Sequence, residues 1–268
     1  VEDLLKKGHY VTVYDNFSSG TRDNLIGFCG DKLSILEGDI RDEKKLSDAM
    51  KGHDIVSHHA AQLEIFLAHS NPSIDLDINT IGTLNVLAAA KNNNISKLIN
   101  VSSACVYGQV NGIVNENAPQ FPNWDYGVSK LAAERYSKIY NDYKNLNTIN
   151  LRYAIVYGEK EWFRRVLPIY VKRVAHGQAP VVFGAGEQIR DFIHVSDVVS
   201  LHYACMMSNL ADGQTLNVGT GQPTKILELA RLLTKIGGIN SGPIHENIEE
   251  GNESSIIKGK RRNMSELK

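Results

Sequence analysis

One feature constrains this chain more than any other: short β-branched runs, each closed by an acid or a turn residue, alternate with segments of helical period. "HYVTVYD" ends at Asp15, "LSILEGD" at Asp39, "DIVSHHAA" at Ala61, "KLINVSS" at Ser103 and "NTINLRYAIVYG" at Gly158. Between them lie "EKKLSDAMKG", "SIDLDINTIGTLNVLAAAKNN" and "NWDYGVSKLAAERY". Apolar runs of this kind are buried on both faces, and helical crossovers join them in parallel. The expected fold is α/β, a doubly wound parallel sheet in which ligands sit at the carboxyl ends of the strands. After Gly158 the alternation loosens into "RRVLPIYVKRVAHG", "APVVFGAGEQIRDFIHVSD", "TLNVGTG" and "TKILELARLLTKIG". That stretch reads as a smaller lobe interleaved with the last sheet strands. The 268 residues accommodate one large domain with such an appendage.

Charge and cysteine usage narrow the function classes. A net charge of −1 gives no footprint for nucleic acid or an anionic membrane, and the basic run "KGKRR" reads as a solvated surface turn. No apolar run is long enough to span a bilayer. Cys29, Cys105 and Cys205 are widely spaced and make no zinc or disulfide pattern. The expectation is a cytoplasmic protein without a resident metal. His58 and His59, being adjacent and lacking a third ligand nearby, do not change it.

Tyr126 and Lys130 stand four apart, so they share one helical face. Val128, Leu131, Ala132 and Tyr136 form a separate apolar stripe, expected to be buried. One Tyr/Lys pair on a helix is common and says little by itself. Ser103, however, closes a strand just before that helix. A tyrosine with a reference pKa near about 10 serves as a base only if its anion is stabilised. Lys130 one turn on supplies positive charge, and an oxidised nicotinamide would add more. A serine hydroxyl would orient a substrate hydroxyl toward the phenolate. Asp15, at a strand tip, suits the diol of an adenosine ribose and repels a 2′-phosphate, although a turn acid is the bland alternative. Asp39 and Ile40 end the next run, where an adenine would lie against an aliphatic side chain. Gly-Asp after a strand is also ordinary turn chemistry. Ala60 and Ala61 are small enough for a pyrophosphate or ribose to approach the backbone. Asn79 is a polar residue facing inward on an apolar helix, either holding a strand-tip backbone or capping the preceding turn.

In order and spacing, "YDNFSSG", "GDIRD", "HHAAQ", "SSACVYG", "YGVSK", "LRYAIVYG" and "RDFIHVSD" resemble the extended short-chain dehydrogenase/reductases of the NAD-dependent epimerase/dehydratase family, and within it the UDP-glucose 4-epimerase branch. The resemblance covers nearly the whole chain. It implies NAD as cofactor, a nucleotide-sugar substrate and a homodimer formed through the Asn79 and Tyr126 helices. It implies Tyr126 as acid/base, Lys130 on the nicotinamide ribose and Ser103 on the sugar hydroxyl. Asp15, Asn16, Asp39, Ile40, Ala60, Ala61, Asn79 and Tyr153 are implied around NAD, and Arg190 on the nucleotide diphosphate. A salt bridge of Arg190 to Asp191 or a neighbour is the structural alternative. The domains implied are a dinucleotide-binding region over 1–158 and a mainly substrate-binding lobe over 159–268.

Dehydratases and decarboxylases of the family resemble each other in an acid soon after the active-site serine or threonine; here those positions are Ala104 and Cys105. The expectation is therefore 4-epimerisation through a transient 4-keto sugar. Two departures bear on the substrate: Ile155 and Arg165 stand where the resemblance implies asparagines. Cys105 matches the cysteine of epimerase-reductases, but a small buried thiol is the expected meaning. A non-catalytic dinucleotide-binding module is the reading from a different class. The chain opens inside a helix whose Gly8 suits a left-handed helix end, and "NMSELK" reads as the first turn of another. A Gly-rich phosphate turn, about 20 residues before the ribose-binding acid, would fall before Val1, so weak NAD binding by residues 1–268 alone is expected.

Overall fold

The computed structural model describes residues 1–28, 30–110, 112–161 and 165–246, apart from the side chains of residues 65 and 66. Cys29, "KGKRR" and "NMSELK" lie outside them. The chain forms two compact units, the first from Val1–Ala154 and His194–Val218, the second from Ile155–Ile193 and Gly219 onward.

In the first unit a short helix α1 (Glu2–Lys6) ends at Gly8, whose φ of 88° is the expected left-handed position. Strands β1 (Val11–Asp15) and β2 (Leu33–Glu37) pair in parallel, Asp15 opposite Glu37. Helix α2 (Glu43–Met50) is capped by the Asp42 carboxylate on the Lys45 N–H. Strands β3 (Ile55–His58), β4 (Lys97–Ser103), β5 (Asn147–Tyr153) and β10 (Thr215–Val218) make a second parallel sheet in the order β10-β5-β4-β3. The runs ending at Asp39 and Ala61 leave strand geometry two and three residues earlier than their sequence implies, at Glu37 and His58. Register sets Ser103 opposite Tyr153, and Tyr153 opposite Val218, so their side chains emerge at one end of the sheet.

Alternation along the strands separates two faces. Leu98 and Tyr140 join Ile40, Leu46, Val86, Leu87 and Leu146 in one core cluster, whose helices include α2, α5 (Gly82–Asn92) and α6 (Asp125–Tyr143). On the other face Lys97 donates from β4 to the Cys205 and Ser208 carbonyls, at the end of α8 (Val195–Met207). Helix α8 is not marked by the sequence, because its buried positions are Val198, His202 and Cys205 while Val199 and Leu201 are exposed. A histidine and a thiol inside, with apolar residues outside, blur the period.

The expected burial of α6 is reversed. Val128 is 54 % exposed and Tyr136 also faces out, while Tyr126, Ser129, Lys130, Ala133, Glu134 and Ser137 face in. The polar stripe lies inside because partners await it there, while of the apolar stripe Val128 and Tyr136 are at the surface and Leu131 and Ala132 are half-buried.

The run "NTINLRYAIVYG" is two strands, β5 and β6 (Ile155–Tyr157), and it breaks where its partners change. The Ala154 N–H bonds the Val218 carbonyl in the first unit, and the Ile155 N–H bonds the Asp191 carbonyl in the second. The second unit has elements of its own: α7 (Val166–Ala175), β7 (Val181–Phe183), β8 (Ile189–Arg190), β9 (Phe192–His194), β11 (Thr224–Lys225), α9 (Ile226–Ile236) and β12 (Ile244–Glu246). Its core gathers Tyr170, Val182, Leu229 and Ala230. No described helix is long and apolar enough to cross a membrane.

Candidate active site

Tyr126 and Lys130 lie on the inward face of α6, 9 % and 3 % exposed. Helix α6 approaches the turn after Ser103 closely: a Cβ on Gly127 would lie 2.6 Å from the Cys105 carbonyl oxygen. Only a glycine allows that contact, which brings the first turn of α6 against the Ala104–Tyr107 turn. The Ser103 hydroxyl oxygen accepts the Cys105 N–H at 3.2 Å, and its own proton remains for another acceptor. Gly108, at φ 72°, then reverses the chain; a Cβ there would strike the Phe121 carbonyl.

Burial lowers the Lys130 ammonium to about 8, with Glu134 and Asp75 pulling the other way. Among the described residues no group hydrogen-bonds this ammonium. Lys130 in turn helps burial press His58, at the tip of β3, down to about 3. The Lys130 helix packs on β4 and on the Ala104–Tyr107 turn that follows it, at the carboxyl end of the sheet. The Glu134 carboxylate, one turn further along α6, is fully engaged by the Arg152 guanidinium (2.8 and 2.9 Å) and the Ser102 hydroxyl. Arg152 also donates to the Tyr107 hydroxyl, which donates to Asn217 on β10. This network ties α6, β4, β5 and β10 together beneath the site.

Asn79 lies in a π-helical turn, Leu76–Ile81, between α4 (Pro72–Asp75) and α5. Such turns often mark functional sites. It is 0 % exposed. Its oxygen accepts the Gln62 N–H, and its amide nitrogen faces the Gln62 carbonyl, the Asp75 carboxylate and the Ser129 hydroxyl. Of the two roles expected of Asn79, the structure shows the first: every polar atom is engaged, and the residue holds the backbone beyond β3 in place. Ser129 is a partner the sequence reading missed; only its position one residue before Lys130 could have drawn notice.

The remaining expected residues sit at strand ends. Asp15 is exposed at the tip of β1, one oxygen taking the Phe17 N–H and the other without a hydrogen bond among the described residues. Asn16 donates to Asp39 at 3.0 Å. Arg41 holds both Asp39 oxygens and keeps that carboxyl far below the usual range. The Ile40 side chain is buried in the core, so the aliphatic surface expected for an adenine is not available from it; only its main chain is. Ala60 is exposed and Ala61 half-buried beyond β3. The Tyr153 hydroxyl pairs with His202 of α8 at 2.9 Å, and burial raises its pKa. Cys105 is half-buried, not the core thiol expected, whereas Cys205 is buried.

These groups fit a dinucleotide. An ammonium at the strand tips without an acceptor suits ribose hydroxyls, a free carboxylate oxygen at β1 suits a diol, and small residues at β3 leave room for backbone approach. Within the second unit Arg190 is exposed and donates only to the Ile189 carbonyl; no described carboxylate pairs with it. Asp191, the partner envisaged in the structural alternative, instead accepts from the Thr220 N–H, the Thr220 hydroxyl and the Gly221 N–H. Ile155 opens β6 and Arg165 precedes α7. No described His, Cys, Asp and Glu side chains group closely enough to hold a metal.

Comparison with known proteins follows the same lines. The sequence profile described as "NAD dependent epimerase/dehydratase family" matches residues 1–219. A putative UDP-glucose 4-epimerase of Methanocaldococcus jannaschii is 33 % identical over 258 residues, 94 % of this chain and 82 % of that protein. A dTDP-glucose 4,6-dehydratase of an Actinoplanes species is 30 % identical over 233 residues, 85 % of this chain and 72 % of that protein. The crystal structure of UDP-glucose 4-epimerase from Thermotoga maritima with UDP-glucose superposes with a TM-score of 0.86 at 29 % identity, covering 93 % of this chain and 82 % of that one.

Proposed function

This chain belongs to the NAD-dependent epimerase/dehydratase family, and from that premise we propose that it is a nucleotide-sugar 4-epimerase of the UDP-glucose/UDP-galactose type. One observation carries the reading: Tyr126 and a Lys130 ammonium without an acceptor share the inward face of α6, against the turn that follows Ser103. Bound NAD would supply the hydride acceptor and donor for the sugar carbon. The rest belongs to the chain. Ser103 orients the C4 hydroxyl, Tyr126 takes its proton as a phenolate and gives it back on reduction, and Lys130 holds that phenolate by charge while binding ribose hydroxyls. Asp15 takes the adenosine ribose; Asp39 with Asn16 and the Ile40 main chain border the adenine; Ala60, Ala61 and Tyr153 line the path between. Arg190 takes the diphosphate by charge-assisted hydrogen bonds. In this reading the first unit carries the cofactor and the second supplies substrate contacts.

Epimerisation is favoured over elimination of water or carbon dioxide because no carboxylate follows Ser103, and Glu134 is spent on Arg152. A homodimer fits the exposed apolar face of α6, which a second copy would cover. With three scattered cysteines and no disulfide pattern, we assign the protein to the cytoplasm.

The test is incubation with NAD and UDP-, GDP- and dTDP-sugars. The expected outcome is interconversion of C4 epimers without net NADH, and a loss of about 10²–10⁴-fold in turnover for Tyr126→Phe. A 4-keto-6-deoxy product would point to a dehydratase instead. No hydride chemistry with any sugar, and a Tyr126→Phe protein indistinguishable from the parent, would leave a binding module.

A further inference from the structure

Two carboxylates influence the Lys130 ammonium, and they differ in kind. Glu134 is neutralised in place by Arg152, whose guanidinium meets both of its oxygens. Asp75 has no such partner. It is 1 % exposed on α4, its Oδ1 accepts from Asn79 at 2.9 Å, and its Oδ2 has no hydrogen bond among the described residues. Among the described residues no cation lies within salt-bridge distance of it. Buried carboxylates without a cation are rare, because desolvation makes them costly.

We propose that Asp75 is a positioning residue of this site: its carboxylate fixes the Asn79 amide and supplies the uncompensated negative charge against which the Lys130 ammonium is held. The first role follows from the amide's geometry. An acceptor at Asp75 Oδ1 obliges Asn79 to present its nitrogen there, which turns its oxygen toward the Gln62 N–H and anchors the backbone beyond β3. The second follows from the charges around Asp75. Helix α6 contributes Lys130, Tyr126, Asp125 and Glu134; Asp125 is hydrogen-bonded to His69 of helix α3 (Ile65–Ser70) at 3.2 Å. The neighbouring π turn contributes Asp77, which is taken by Arg41, and β3 contributes His58, which burial keeps neutral. Glu134 and Asp77 are held by arginines and His58 is neutral, and Asp125 is only half-buried, against a histidine, so Asp75 is the buried carboxylate near Lys130 that no described cation holds. Burial pushes the Asp75 carboxyl up, with Asp125 adding to it, while Ser129 and Lys130 oppose.

The proposal rests on Tyr126 and Lys130 being the acid/base pair, so its test reads Lys130 without substrate. Protein labelled with [13Cε]lysine is titrated by NMR, the Lys130 resonance being identified by its loss in Lys130→Met. Asp75→Asn keeps an acceptor for Asn79 and removes only the charge. The expected result is a fall of about one pH unit in the Lys130 midpoint, a tenfold change in its proton affinity. An unchanged midpoint in a folded Asp75→Asn protein overturns the proposal. If Asp75→Asn does not fold, Asp75→Ser, smaller and still an acceptor, is read by the same criterion. In the unaltered protein, the Lys130 resonance must also register the ionisation of Asp75 at acid pH; a flat response there overturns the proposal without any variant. An enzyme whose turnover depends on Tyr126 but whose Lys130 ignores Asp75 would sink this inference and spare the proposed function. A shifted Lys130 in a protein that turns over no sugar would do the opposite.

Discussion

Lys130 is the residue at which stability and chemistry pull apart. Its ammonium is charged in the unfolded chain up to its ordinary 10.5, but in the fold only up to about 8. Below pH 8 both states carry the proton, and the folded state bears the whole cost of burying it. Above 10.5 neither state carries it, and the cost is gone. A group whose folded pKa is depressed in this way destabilises at neutral pH and ceases to do so in alkali. Lys130→Met is therefore expected to raise the stability of the cofactor-free protein by up to about 3 kcal/mol at pH 7 and to abolish turnover. Urea unfolding at pH 7 and near pH 10 checks it: the gap between variant and parent should close as pH rises. A gap that persists in alkali would mean that burial of the charge is not its origin. The same residue shows what can be read from sequence. Tyr126 and Lys130 were legible as a pair because spacing fixes a shared face. Asn79 was legible only in part, because a buried amide announces its need for partners but not which of two backbones it will support.

At the scale of elements, the meeting of α6 with the Ala104–Tyr107 turn is the critical fit. Gly127→Ala would set a methyl 2.6 Å from the Cys105 carbonyl, a backbone atom that cannot swing aside. The first turn of α6 must then shift, and a displacement of about 1 Å at reacting groups costs on the order of 10²-fold. The expected outcome is a fall of that size in kcat, with circular dichroism close to the parent's. A variant with full activity would show that the turn and the helix need not touch. Elements with a marked start and end were open to sequence reading: β4 runs over the segment expected, Lys97–Ser103, and α2 starts where expected, at Glu43, and ends at Met50, two residues short of the expected run. Elements whose inner face is polar were not. On α6 the hydrophobic count picks out the outer surface, and on α8 the inner face is His202 and Cys205. The partners that reward a polar residue inside come from distant strands, and no local period encodes them.

For the whole molecule, the outward apolar stripe of α6 has a consequence for assembly. Val128, Ile139 and Tyr143 are 54 %, 42 % and 81 % exposed along that helix, a surface of the kind that marks an interaction site. If a second copy covers it, Val128→Asp with Ile139→Asp should halve the mass measured by light scattering while leaving the unfolding of the monomer cooperative. An unchanged mass would exclude this face. The doubly wound architecture was readable because the alternation of segments fixes it; the partition of the chain was less so, since β5 and β6 look like one run and separate only at the exchange of hydrogen-bond partners around Ala154. Because His194–Val218 returns to the first unit, neither unit is a contiguous cassette in the gene. A clone that stopped after codon 158 would encode β5 with its β10 side bare and no α8 to receive Lys97 and Tyr153. Recombination could graft the second unit onto another scaffold only as two separate segments, one inserted between Ala154 and His194 and one joined after Val218, never as a single fusion.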